Sequence, residues 1–97
     1  MTRIVELTNM VTAADLESNQ DYEDIMEDTK EECCQFGSLK SVIIPRSGNE
    51  KMKVFLEYTS VEDATKAIKI IAGRSFDGKK VIASYVDEER FKKIVLI

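Results

Sequence analysis

The chain has 97 residues, of which 43% are hydrophobic, with 14 Lys and Arg against 18 Asp and Glu, one Pro, two Cys and no His. This composition predicts one folded domain and argues against a disordered or fibrous protein. The lack of His removes the commonest general base and metal ligand. We therefore expect a binding module that is not an enzyme, with no catalytic residue, no metal and no cofactor. No apolar run has the length of a membrane span, so we expect no membrane partner.

Alternating and helical hydrophobic periods divide the chain into elements in the order β-α-β-β-α-β. We predict strands at residues 3–8, 39–45, 51–58 and 80–86, helices at 22–36 and 60–72, a short C-terminal helix after residue 87, and no regular element at 12–20. This order is the ferredoxin-like split βαβ arrangement, an α+β fold in which two helices back a four-stranded antiparallel sheet. The other face of that sheet then needs an explanation.

The open sheet face is where domains of this topology bind single-stranded RNA, through aromatic side chains on two strands. Residues 51–58 align in part with the strand signature of such domains, but Lys53 stands where a stacking ring is needed, and Glu6 would repel phosphate. Loss of stacking rings removes much of the affinity for bases. RNA binding through Lys51, Lys53 and Phe55 is therefore the alternative hypothesis, and we favour Phe55 packing under the apolar C-terminal segment.

Negative charge is concentrated in the first predicted helix and the residues before it. Nine acids and one base lie between residues 15 and 32, and Asp24, Asp28 and Glu32 share one helix face. Acids near a helix N-terminus suit the helix dipole, but those in the C-terminal half oppose it. The charge is either a solvated face or a binding surface, and a basic partner would explain its cost.

The two cysteines, Cys33 and Cys34, are adjacent near the end of this acidic helix. Neighbouring carboxylates disfavour a thiolate, so a catalytic role for either thiol is unattractive. We expect Cys33 to lie in the core and Cys34 to be partly exposed.

The turn before the last strand, residues 73–78, has the unusual sequence Gly-Arg-Ser-Phe-Asp-Gly. In an extended turn, Arg74 and Phe76 would point the same way, and a guanidinium beside a ring can enclose an inserted aromatic side chain. The alternative is that Phe76 covers the end of the core.

An acidic first helix together with an Arg-x-Phe loop resembles the U2AF homology motif family, a variant of the RNA recognition motif that binds peptides. The segments Leu-Thr-Asn-Met-Val at 7–11, Val-Ile-Ile-Pro-Arg at 42–46 and Val-Phe-Leu-Glu-Tyr at 54–58 are most similar to the large-subunit members of this family. The resemblance covers nearly the whole chain. The loop between the second and third strands is shorter, and the tail after Phe91 more apolar, than in many members.

The resemblance implies a pocket between the two helices and the Arg-x-Phe loop that receives a Trp from a short basic segment of a partner splicing factor. Phe76 would pack on the indole, Arg74 would cover it and pair with Glu32, and Asp24 and Asp28 would bind the Arg or Lys residues that precede the Trp.

The family's partners are the branch-point-binding protein and the HEAT-repeat scaffold subunit of the U2 particle. The implied role is 3′ splice-site recognition in pre-mRNA splicing, in the nucleus. RNA contact by this domain would be weak or absent. Residues 1–97 would then be a single domain from a longer splicing factor that itself binds pre-mRNA.

Overall fold

The computed structural model describes residues 1–76 and 78–95, with Phe76 described by its backbone alone. The elements are β1 (Ile4–Thr8), α1 (Ala13–Glu17), α2 (Asn19–Cys33), β2 (Leu39–Ile43), β3 (Val54–Tyr58), α3 (Val61–Ile71), β4 (Ser75–Phe76), β5 (Lys79–Lys80), β6 (Ile82–Val86) and α4 (Glu88–Val95). Within the described residues, β2, β3, β1 and β6 form an antiparallel sheet in that spatial order. The predicted α+β fold and the short C-terminal helix are confirmed.

Hydrophobic side chains cover both faces of the sheet. Because successive strand residues point to opposite faces, Val5 and Leu7 lie in the main core while Ile4 lies in a second cluster on the other side. The main core is closed by α2 and α3. The second cluster consists of Ile4, Phe55 and Val86 from the sheet with Phe91 and Ile94 from α4, and Ile43 packs against it. Phe55 therefore packs under the C-terminal helix, as the sequence predicts.

Residues 12–20 contain regular structure that the hydrophobic pattern does not predict. Thr12 caps α1: its Oγ1 accepts a hydrogen bond from the Asp15 N–H at 3.2 Å, and Asp15 Oδ2 accepts one from the Thr12 N–H at 2.9 Å. Ser18 caps α2 in turn, accepting from the Asp21 N–H at 3.3 Å. The prediction of an irregular segment was wrong because a five-residue helix is too short to show a period, although its capping residues are visible in the sequence.

The third strand is shorter than predicted and begins at Val54 rather than at residue 51. Met52 has φ 70° and is 40% exposed. A residue in this left-handed conformation cannot continue a strand. Met52, which the predicted strand would have included, therefore does not share a strand face with Val54, Leu56 and Tyr58. The second strand likewise ends at Ile43, two residues early.

Gly37 sits where the chain leaving α2 passes the start of α3. A Cβ at this position would lie 2.8 Å from the Cβ of Asp63, closer than two carbons can approach. Asp63 Oδ2 accepts a hydrogen bond from the Ser38 N–H at 3.0 Å, and Ser60 Oγ accepts one from the Asp63 N–H at 3.2 Å. Ser60 thus caps α3, while the Asp63 carboxylate binds the loop that leaves α2.

Replacement of Phe91 by Ala should lower the free energy of unfolding by about 3 kcal/mol, because it empties the centre of the cluster between α4 and the sheet. Urea denaturation followed by circular dichroism measures this change. Lys93→Ala, on the exposed side of the same helix, is the control and should change stability little. Equal stability of Phe91→Ala and the parent would contradict the packing of α4.

Candidate functional site

A cavity of about 230 Å³ opens beside α2, where the chain between β1 and α1 passes the helix. Thr29 and Cys33 are buried in its wall, Met10 and Ile25 are half-buried, and Asp28 is exposed at its edge. The lining residues are Met10, Asp15, Ile25, Asp28, Thr29, Glu32 and Cys33. Two predicted site residues, Asp28 and Glu32, therefore border one cavity.

Arg74 contacts this cavity through its ion pair with Glu32. Arg74 Nη1 lies 3.4 Å from Glu32 Oε1, and the guanidinium carbon lies 5.3 Å from the centroid of the Phe36 ring. Both charged side chains are almost half exposed, so the pair contributes little to stability and serves mainly to orient the guanidinium. The contact with Phe36 was not predicted, because it depends on how the chain after α3 packs against the end of α2.

The backbone of Arg74 is held on both sides. Its N–H donates to the Ile71 carbonyl at 2.9 Å, and its carbonyl accepts from the Val81 N–H at 2.8 Å. The preceding Gly73 has φ 80°, a conformation that favours glycine and ends α3. Arg74 therefore leaves α3 in a defined direction toward α2.

The predicted Arg-x-Phe turn is a small β-hairpin in which Ser75 pairs with Lys80 and Phe76 pairs with Lys79. The last strand of the main sheet accordingly begins at Ile82, later than predicted. The side chain of Phe76 lies outside the described residues, so its role on an inserted ring stays a prediction.

The charge of the hairpin also acts on one residue of the cavity lining. The pKa of the Asp15 carboxyl is lowered, first by its hydrogen bonds with Thr12 and further by the positive charge of Lys79. Lys79 belongs to β5, so the hairpin contributes positive charge that acts on Asp15 in the cavity lining.

The acidic face of α2 is largely unneutralised. Asp24 accepts a hydrogen bond from Gln20 Nε2 at 2.9 Å. Among residues 1–76 and 78–95, no Lys or Arg nitrogen lies within 4.0 Å of Asp24 or Asp28. Asp28 borders the cavity, whereas Asp24 lies one turn earlier on α2 and is not among the lining residues. Carboxylates without a cationic partner produce a negative potential that attracts a cationic ligand.

Phe55 is not available for base stacking, since it is fully buried under α4. The Arg90 guanidinium lies over it, 5.7 Å from the ring centroid. Arg90 Nη2 is also 2.7 Å from Glu6 Oε1 and 2.6 Å from Glu50 Oε2. This bridge, which the sequence does not predict, attaches α4 across the sheet face.

The two lysines of the RNA hypothesis are not gathered around an open ring. Lys53 Nζ lies 3.7 Å from Glu6 and 3.4 Å from Glu50. Lys51 is exposed in the turn before β3. The structure therefore does not bring Lys51, Lys53 and Phe55 together as a base-stacking surface.

The adjacent cysteines differ in environment as the sequence predicts. Burial raises the pKa of the Cys33 thiol to about 12, with smaller increases from Glu32 and Cys34 and an opposing effect of Arg74. Cys34 is exposed. At neutral pH the Cys33 thiol is neutral and forms part of the cavity wall.

No group of three potential ligands among His, Cys, Asp and Glu is arranged for a metal ion in the part of the chain that the structure describes. None of the helices in the same residues is long and apolar enough to cross a bilayer.

Comparison with known proteins gives one family and two kinds of relative. Residues 19–82 match the model of the RNA recognition motif family. The chain is 42% identical over 96 residues to a U2AF large-subunit splicing factor of Nicotiana plumbaginifolia, an alignment that covers 93% of this chain and 17% of that protein. It is 36% identical over 92 residues to serine/threonine-protein kinase Kist of Homo sapiens, covering 95% and 22%. The chain thus spans about a fifth of the length of these relatives.

A solved structure of the Rna15 RNA recognition motif with bound RNA (GU) matches the fold with a TM-score of 0.64, covering 99% of this chain and 95% of that one. At 16% identity this likeness concerns the fold alone. The resemblance to the large-subunit U2AF proteins that the sequence segments indicate is confirmed.

One thiol should react with Ellman's reagent in the native protein and two after denaturation, because Cys33 is 1% exposed while Cys34 faces solvent. Absorbance at pH 8 counts the thiols that react. The Cys34→Ser variant is the control and should show no fast phase. A fast reaction in that variant would mean that the cavity wall opens readily.

Proposed function

This chain belongs to the RNA recognition motif family, and we propose that it acts there as a peptide-binding module of pre-mRNA splicing. Its ligand is a short basic segment of a partner splicing factor that inserts one Trp into the cavity beside α2. The Arg74–Glu32 pair at this cavity carries the proposal. The process is 3′ splice-site recognition in the nucleus, with the branch-point-binding protein or the HEAT-repeat scaffold subunit of the U2 particle as partner and this domain as part of a longer splicing factor.

The shape and chemistry of the cavity support an aromatic anchor. Its wall combines apolar groups of Met10, Ile25 and Cys33 with acids at the edge. An aromatic side chain in a desolvated pocket supplies most of the energy of such interfaces. The Arg74 guanidinium, already seated against Phe36, can extend its contact to an inserted ring through cation–π attraction.

The charge on α2 supports a basic peptide. Asp24 and Asp28 would pair with Arg or Lys residues preceding the Trp, which accelerates encounter and sets the direction of the peptide. The same charge would repel the phosphates of RNA. Together with the covered Phe55, this favours peptide over RNA as the ligand of this domain.

The first experiment uses the absence of Trp from this chain. Addition of the domain to a Lys/Arg-rich peptide with one Trp should shift that residue's fluorescence to the blue and saturate with a micromolar or lower Kd, about −8 kcal/mol. The affinity should fall with salt. Calorimetry tests binding of oligopyrimidine RNA in parallel. Binding of RNA without a fluorescence change of the peptide would contradict the proposal.

Phe76→Ala should remove most of the affinity for the Trp peptide, since a ring that packs on the indole would be lost. Fluorescence titration measures the loss. Ser75→Ala, one residue earlier in the same hairpin, should bind like the parent, and circular dichroism verifies that both variants fold. Parent-like binding by Phe76→Ala would refute the assignment of the Arg-x-Phe segment.

Reversal of charge at Asp24 and Asp28, both changed to Lys, should weaken binding of the basic peptide about tenfold and flatten its salt dependence. Titration at several salt concentrations gives both quantities. The control Glu62→Lys/Glu89→Lys changes the net charge equally on other helices and should bind nearly as the parent does. If the control weakens binding equally, net charge rather than the face of α2 is responsible.

A further inference from the structure

Thr29 is a polar residue buried in the cavity wall between the apolar side chains of Ile25 and Cys33. It lies within α2, is 1% exposed, and its Oγ1 has no hydrogen-bond partner among the residues that the structure describes. A buried hydroxyl without a partner lowers the stability of the fold, because it loses its hydrogen bonds to water and forms none in the protein. Such a hydroxyl is available to form a hydrogen bond with a ligand.

Thr29 lies between two apolar residues, Ile25 and Cys33, on the same face of α2. Ile25 precedes it by four residues and Cys33 follows it by four, so the three lie in one line along the cavity. A ring that fills the cavity therefore passes directly beside Thr29.

The other polar groups of the cavity have partners or face solvent. Asp15 accepts the Thr12 N–H, and Glu32 pairs with Arg74. Asp28 is exposed at the edge. Among the described lining residues, the Thr29 hydroxyl is thus the buried polar group that remains for a ligand.

We propose that Thr29 is a specificity-determining residue that selects a ring carrying an N–H group: an inserted indole donates its N–H to Thr29 Oγ1. This inference rests on the proposed function and deepens it. A hydroxyl oxygen can accept such a bond, and the indole nitrogen can only donate. A hydrocarbon ring of equal size would fill the cavity but leave the hydroxyl unpaired, which a site penalises more strongly than a small change in apolar area.

The test compares two peptides that differ by one atom group. One contains Trp, and the other contains 3-benzothienylalanine, in which sulfur replaces the ring N–H at nearly the same size. Calorimetry measures both Kd values for the parent, Thr29→Val and Thr29→Ser. The parent should prefer Trp about fivefold to tenfold, Thr29→Ser should keep this preference, and Thr29→Val should reduce it to about twofold or less.

Urea denaturation of the unliganded proteins tests the premise separately. Thr29→Val should be at least as stable as the parent, because it removes a buried hydroxyl that has no partner. Lower stability of Thr29→Val would mean that the hydroxyl is bonded within the domain, and would overturn the inference.

The binding outcomes separate this inference from the proposed function. An undiminished preference for Trp in Thr29→Val, or no preference in the parent, overturns the role of Thr29 while peptide binding stands. If neither peptide binds the parent, the proposed function fails, and the role of Thr29 fails with it.

Discussion

The structure depends on a sheet that is apolar on both faces. Val5 and Leu56 require cover on one side, and Ile4 and Phe55 require it on the other. Burial of one large apolar side chain is worth about 2 kcal/mol, so neither face of so small a domain can be left in water. One face receives α2 and α3, and α4 covers the other. Phe55, the ring that could have stacked a base, is thereby part of a second core.

The ion pairs also differ between the two sides of the sheet. On the sheet side, Arg90 and Lys53 neutralise Glu6 and Glu50, so charge that could have faced a ligand instead holds α4. On the helix side, α2 keeps an excess of carboxylates, and its one described ion pair joins Glu32 to Arg74 at the cavity. A long-range negative potential therefore coincides with an apolar opening, a combination suited to a ligand with one ring and several cations.

Elements whose hydrophobic pattern repeats over several residues are predictable from the sequence. Elements and contacts that depend on how distant segments pack together are not. Val5 and Leu7 alternate with Ile4 in the sequence, and this alternation matches the two faces of β1; the apolar tail correctly predicted the packing of Phe55. The five-residue α1 has no period to detect. The contact of Arg74 with Phe36 joins distant segments, and the ion pair with Glu32 followed only from the family resemblance. Thr29 lies four residues from both Ile25 and Cys33, which marks it as a residue of the buried helix face, but nothing in the sequence marks its hydroxyl as lacking a partner among the described residues.

Arg46 joins the loop after β2 to the junction of the two helices that carry cavity-lining residues. Arg46, in the loop after β2, donates through Nε and Nη2 to the Leu16 carbonyl and through Nη1 to Asn19 Oδ1, while its guanidinium lies 4.6 Å from the Tyr22 ring centroid. These bonds hold the junction of α1 and α2. The Thr12 cap holds Asp15, a residue of the cavity lining, on the same short helix. For the proposed peptide ligand, the entropy cost of ordering the peptide would lower the affinity.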